Sequence, residues 1–162
     1  ENNINHKQDY KMIIRQWQRK DFPQMIELGD KMHKEGAYQK LSYSREKLKR
    51  FADVLIDKPE KAMGFVAVED DVVIGMMIVH LSRYFFGDDL FCFDLLLYVT
   101  PEKRKSIRVP IRLINASTDW AREKGCKEFR PGSSVGIKSA KVEKLYNFMK
   151  FETIGNVFTK RL

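Results

Sequence analysis

The stretch Leu97-Tyr98-Val99-Thr100-Pro101-Glu102-Lys103-Arg104-Lys105-Ser106-Ile107-Arg108-Val109 runs from an apolar strand through a basic loop into a helix. A strand-loop-helix junction points free amide N–H groups and the positive end of the helix at whatever anion docks there. Arg104, Lys105 and Arg108 add side-chain charge at the same spot, so a pyrophosphate is a sensible guest. Helix N-termini ordinarily favour acids over bases, so this loop either answers to an external anion or is a solvated basic helix start. Asp94 is the only charge inside the preceding strand, where burial would raise its pKa toward the range of a general base; a strand-entry residue facing solvent reads equally well. Glu69, beside a turn, is a second candidate base. His6, His33 and His80 form no metal-ligand spacing, nor do Cys92 and Cys126, so no metal is expected.

Several elements must position these groups. Met12 to Trp17 suits a short first strand, and Asp21 with Gln24 three residues on reads as the N-cap of a helix whose apolar face carries Met25, Ile26, Leu28 and Met32. Gly36 stops it, a loop to Tyr43 carries two tyrosines, and Ser44 caps a second helix ended by Pro59. Gly64 to Val68 and Val72 to Leu81 read as a hairpin turning at Asp70-Asp71. Phe91 to Thr100 is a near-continuous apolar run, as expected of a strand covered on both faces. Ile107 to Lys124 reads as a long helix with Gly125 at its C-terminal end, provided Pro110 lies in its first turn. A brief strand at Cys126 to Arg130, a loop at 131–136 and a helix from Ser139 to Met149 follow. Two last strands are expected within Phe151 to Leu162, turning at Gly155-Asn156. The fold class is α+β, or α/β layered: a mixed, mostly antiparallel central sheet of about seven strands flanked by about four helices.

The chain has 162 residues, 43% apolar and 32% charged, enough to bury one core and unlike a disordered or repeat protein. Residues 1–11 read as a polar tail and 12–162 as one domain. Lys and Arg number 30 against 22 Asp and Glu, a formal net charge of +8, which favours anionic partners. The longest greasy stretch, Leu90 to Val99, is interrupted by Asp94 and falls short of the ~18–20 apolar residues of a membrane span. Two cysteines outside any scaffold spacing suit a reducing cytoplasm, and no membrane association is expected.

Two motif regions resemble the GNAT superfamily of acyl-CoA-dependent N-acyltransferases, especially its compact phage-encoded members. One is Tyr98-Val99-x-Pro101-Glu102-x-Arg104 with its following helix, including Asp119-Trp120-Ala121 and Gly125. The other, Leu145-Tyr146-Asn147-Phe148-Met149-Lys150-Phe151-Glu152-x-Ile154-Gly155, is similar to the superfamily's C-terminal Tyr-x-x-x-Gly-Phe. With the element order, the resemblance spans about Met12 to Leu162. It implies that Leu97, Tyr98 and Val99 offer backbone groups to the pantetheine arm of acetyl-CoA, the co-substrate. Arg104, Lys105, Ser106, Ile107, Arg108 and Val109 would surround the pyrophosphate. Tyr146 matches the superfamily's usual acid, although helical spacing alone reads it as core. Tyr38 and Tyr43 fall in the loop that lines the acceptor site in the superfamily, with His80 assigned to the same side. A homodimer is compatible with the resemblance.

The sequence departs from the superfamily where the cofactor is held. Ile107 and Val109 occupy places normally taken by glycines that let backbone approach phosphate, Lys150 replaces the C-terminal motif's Gly, and Ser139 sits where an Asn often contacts the cofactor. The implied function is acetyl transfer from acetyl-CoA to a primary amine of a small molecule, peptide or protein by direct attack in a ternary complex. The alternative is a non-catalytic relative whose basic face binds nucleic acid or an acidic protein. Nucleic acid ranks below the enzyme reading, because the basic residues are not interleaved with stacking aromatics.

Overall fold

The computed structural model describes residues 12–132 and 136–162, so the expected tail at 1–11 and the centre of the 131–136 loop lie outside the described residues. A five-stranded sheet runs in the order β1 (Ile13–Gln16), β2 (Ala62–Glu69), β3 (Val72–Arg83), β4 (Leu90–Val99) and β5 (Glu128–Arg130). The first three pairings are antiparallel and β4–β5 is parallel. Four helices accompany it: α1 (Phe22–Glu35), α2 (Arg45–Ile56), α3 (Arg108–Glu123) and α4 (Ser139–Phe148). A parallel pair cannot be closed by a hairpin, so α3 provides the crossover from β4 to β5.

The β2–β3 turn forms where Asp70 and Asp71 both adopt positive φ, 50° and 62°, as a two-residue type I′ turn demands. Strand alternation then assigns the layers. A Cβ on Gly75 would meet Val109 and Leu113 of α3, and Gly75 pairs with Val99, so these residues face α3. Their neighbours Met76 and Tyr98 face the other way, where Tyr98 meets Glu35 of α1. The sheet is thus covered on both sides, as the unbroken apolar character of β4 predicts, and Val66, Met77, Val79, Cys92, Leu113 and Ile114 lose essentially all contact with water.

Three expectations need correction. The sheet has five strands rather than about seven, because no strand forms within Phe151 to Leu162. Phe151 packs edge-on against Phe129 and Tyr146, but residues 152–162 are all exposed, Val157 and Phe158 almost fully, and a segment that buries nothing gains too little to order as a strand pair. Asp21 precedes α1, yet its side chain makes no cap bond to the helix. It is buried, takes a two-pronged contact from the Arg15 guanidinium at 2.7 and 2.8 Å, and accepts from the Gln18 amide, interactions that hold its carboxyl below the usual carboxylate range despite burial. Gln24 spans to the hairpin instead, accepting from the Val73 amide and donating to the Asp71 carbonyl. Ser44 does cap α2, accepting from the Lys47 amide at 3.2 Å.

Candidate active site

β5 pairs with Phe91, Cys92 and Phe93 of β4, so from Asp94 onward the outer edge of β4 has no strand beside it among the described residues. A bulge sharpens the break: Val79 pairs with Asp94 and Ile78 with Leu96, leaving Leu95 without a partner in β3. Backbone groups freed in this way can pair with an extended guest. Beside them opens a cavity of about 170 Å³, whose lining includes Asp94, Leu96, Leu97, Val99 and Arg104 on one side and Val142 and Leu145 of α4 on the other. The lining is mostly apolar, with Asp94, Arg104, Ser106, Lys138 and Lys141 as polar exceptions.

Two groups converge on Gly132, which lines the channel with Asp94; Tyr146 itself is buried outside that lining. Asp94 Oδ1 accepts from the Gly132 amide at 2.7 Å, and the Tyr146 hydroxyl donates to the Gly132 carbonyl at 3.5 Å. Burial pushes the Asp94 carboxyl up to about 6, with the Gly132 amide offsetting part of the cost. Burial, and then the Asp94 charge, push the Tyr146 phenol well above its ordinary value, so it keeps its proton at neutral pH. The arrangement joins a carboxylate that titrates near neutrality to a protonated phenol, beside an apolar channel and unpaired strand edge. That equipment can take a proton from one reactant and return one to another.

No protein-family model matches the sequence, and no curated protein matches it. Solved structures do. AAC(6')-Iy, in complex with the bisubstrate analogue CoA-S-monomethyl-acetylneamine, superposes with a TM-score of 0.75 at 19% identity over 94% of this chain and 98% of that one. An acetyltransferase of Trypanosoma brucei gives 0.71 at 17% identity, covering 94% and 100%. A GNAT family acetyltransferase of Staphylococcus aureus gives 0.66 at 17%, covering 93% and 98%. The chain has the GNAT fold.

Within this GNAT fold the residues singled out by sequence separate into groups. Leu97, Tyr98, Val99, Arg104, Ser106 and Ile107 line the channel with Asp94. Val109 does not: it is buried against β3, so of the two β-branched residues at glycine places only Ile107, 55% exposed, stands at the channel. Lys105, Arg108 and Ser139 are exposed outside the lining, and the Ser106 hydroxyl accepts from the Arg108 amide at 3.1 Å. Arg104 is engaged within the protein, through the Val99 carbonyl and the Glu35 carboxylate. Tyr43 lines a separate cavity of about 230 Å³ with Asp30, His33, Lys34 and Arg45, stacking on His33 at 4.7 Å, while Tyr38 is exposed. His80 pairs with Phe93, one residue out of phase with Asp94, and so points to the opposite sheet face. Glu69 is tied to Lys103.

Lys138, Lys141, Val142 and Leu145 line the channel without having been expected there; only the basic character of the segment before and into α4 hinted at it. Among the described residues no group of His, Cys, Asp or Glu is placed to hold a metal, and no helix is long and apolar enough to cross a membrane.

Proposed function

We propose that this protein is an N-acetyltransferase that carries an acetyl group from acetyl-CoA to a primary amine in a ternary complex. The convergence of Asp94 and Tyr146 on Gly132, which lines an apolar channel, carries this reading. The channel suits a pantetheine arm: Leu96, Leu97, Val99 and Leu145 offer apolar walls, and the open β4 edge offers backbone partners to its amides. Asp94 takes a proton from the incoming ammonium, directly or through water, and the free amine attacks the thioester carbonyl. Amide groups freed at the β4 bulge stabilise the oxyanion. As the tetrahedral adduct collapses, the C–S bond breaks, Tyr146 protonates the departing thiolate, and the second proton of the attacking nitrogen passes through water to the Tyr146 phenolate, leaving the acetamide and CoA, while Asp94 returns its proton to solvent. Of the three residues expected on the acceptor side, Tyr43 lines a separate cavity and His80 points to the sheet face opposite Asp94, so only Tyr38, exposed in the loop after α1, is proposed there.

Thermal shift with acetyl-CoA tests the first step, because a ligand that binds only the folded state raises stability by ~2.7 kcal/mol at 100 times its Kd. The expected result is a rise in Tm that grows with ligand concentration, followed by thiol release when primary amines are screened. An unchanged Tm at millimolar acetyl-CoA would sink the proposal, and salt-sensitive DNA binding in its place would favour a non-catalytic basic surface.

A further inference from the structure

We propose that the phosphate-bearing end of the acyl carrier is anchored by Lys138 and Lys141 at the start of α4, and that Arg104 acts as a positioning residue. The inference rests on the acyl-CoA reading above and concerns which charges hold the carrier's anionic end.

Arg104 already has its partners. Its Nε donates to the Val99 carbonyl at 2.7 Å, its two terminal nitrogens reach the Glu35 carboxylate at 2.7 and 3.3 Å, and its guanidinium lies over the Tyr98 ring, 4.9 Å from the centroid. Tyr98 completes the cluster by donating its hydroxyl to Glu35 at 2.5 Å. The Arg104 guanidinium, then the Tyr98 hydroxyl, hold the Glu35 carboxyl below its ordinary range against burial, and the nearby Lys138 charge adds to them. A phosphate recruiting Arg104 would have to displace a carboxylate that the guanidinium already holds with two nitrogens and that the Tyr98 hydroxyl also engages. Arg104 therefore ties the end of β4 to the end of α1 and fixes that wall of the channel.

The lysines differ on each count. Both line the channel with Ser106 and Ile107, and both side chains are exposed to an approaching ligand. Neither ammonium belongs to an ion pair among the described residues. Both stand at the start of α4 and line the same channel, so two ammonium groups can reach neighbouring phosphates together. Lys138 itself adopts φ 49°, ψ 43°, a left-handed conformation rare outside glycine, at the junction into α4. Ile107 meanwhile puts a branched side chain where a bare backbone would let phosphate come close. Side-chain charge from the facing helix makes up for that lost approach.

The test compares acetyl-CoA with S-acetylpantetheine, which has the same thioester arm and no phosphate, by calorimetric titration of the full chain. The Lys138→Ala/Lys141→Ala variant is expected to lose at least tenfold in acetyl-CoA affinity and to bind S-acetylpantetheine as wild type does, whereas Lys138→Arg/Lys141→Arg keeps acetyl-CoA affinity within about threefold. Equal losses for both ligands, or an acetyl-CoA affinity unchanged in the alanine variant, overturn the inference. The Glu35→Gln/Arg104→Met variant is expected to lose thermal stability while keeping the wild-type ratio between the two ligands. Collapse of that ratio would give the phosphates to Arg104 and overturn it as well. Wild-type protein that binds neither compound overturns the acyl-CoA reading itself, an outcome distinct from the others.

Discussion

Asp94 concentrates the chemistry of the site in one ionisation. A carboxyl buried in the lining of an apolar channel is protonated more readily than in the unfolded chain, about 6 against 3.8, so its charge costs folding free energy above pH 6 and nothing below about pH 4, where both states are neutral. Two pH units correspond to roughly 2–3 kcal/mol. Asp94→Asn keeps an oxygen for the Gly132 amide and removes the charge, so we expect the variant to exceed wild type in stability by up to this amount at pH 8 and to lose the advantage as pH falls to 4. Activity should move the other way: wild-type kcat/KM rises with pH through about 6 and then stays level, since the Tyr146 phenol keeps its proton well beyond neutrality, while the variant falls roughly 10²–10⁴-fold and loses the limb near pH 6. A limb of unchanged position in Asp94→Asn would remove Asp94 from the role of base.

Elements bring these residues together, and some are anchored far from the channel. Trp17, just past β1, donates its amide to the Gly64 carbonyl at 2.8 Å, and a Cβ on Gly64 would lie 2.3 Å from the Trp17 ring. The ring cannot retreat, being buried with Phe22 packed edge-on against it at 5.6 Å. Gly64→Ala should therefore cost about 1–3 kcal/mol and lower Tm by several degrees, with acetyl-CoA affinity of the folded protein unchanged; a Tm equal to wild type would refute the steric account. What the sequence reveals follows the same division between near and far. Ser44 as a cap, Asp70-Asp71 as a turn and β4 as a covered strand are legible because their causes lie within a few residues. Asp94 stands out as the one charge in an apolar run, but its partner Gly132 is 38 residues away. The Glu35–Arg104 pair closes over 69 residues, and the facing of Lys138 and Lys141 toward Ser106 depends on how α4 docks, which no local pattern encodes. The missing final strands show the converse: 151–162 carries strand-like residues and a Gly-Asn turn signal, but strand formation also needs an edge and something to bury.

Across the whole molecule, the net charge of +8 is unevenly spread: Lys103, Arg104, Lys105, Arg108 and Arg112 fall within ten positions, and Lys138 and Lys141 face that end from α4. Internal ion pairing reduces the free part of this charge, since Lys103 is bound to Glu69 and Arg104 to Glu35, while Arg112 donates to the Met12 carbonyl. Lys105, Arg108, Lys138 and Lys141 remain exposed, a localised positive patch at the mouth of an apolar channel rather than a stripe along a face. A patch of that kind draws in a compact polyanion, and its reach contracts with the Debye length from ~14 Å at 0.05 M salt to ~4 Å at 0.5 M. Acetyl-CoA affinity should consequently fall on the order of tenfold over that range, mainly through a slower association rate, while S-acetylpantetheine should be nearly indifferent to salt. Stopped-flow measurement of both ligands at several ionic strengths separates the outcomes. Equal salt dependence for the two would mean that the patch does not act on the phosphates, and the excess charge of this chain would then need another partner.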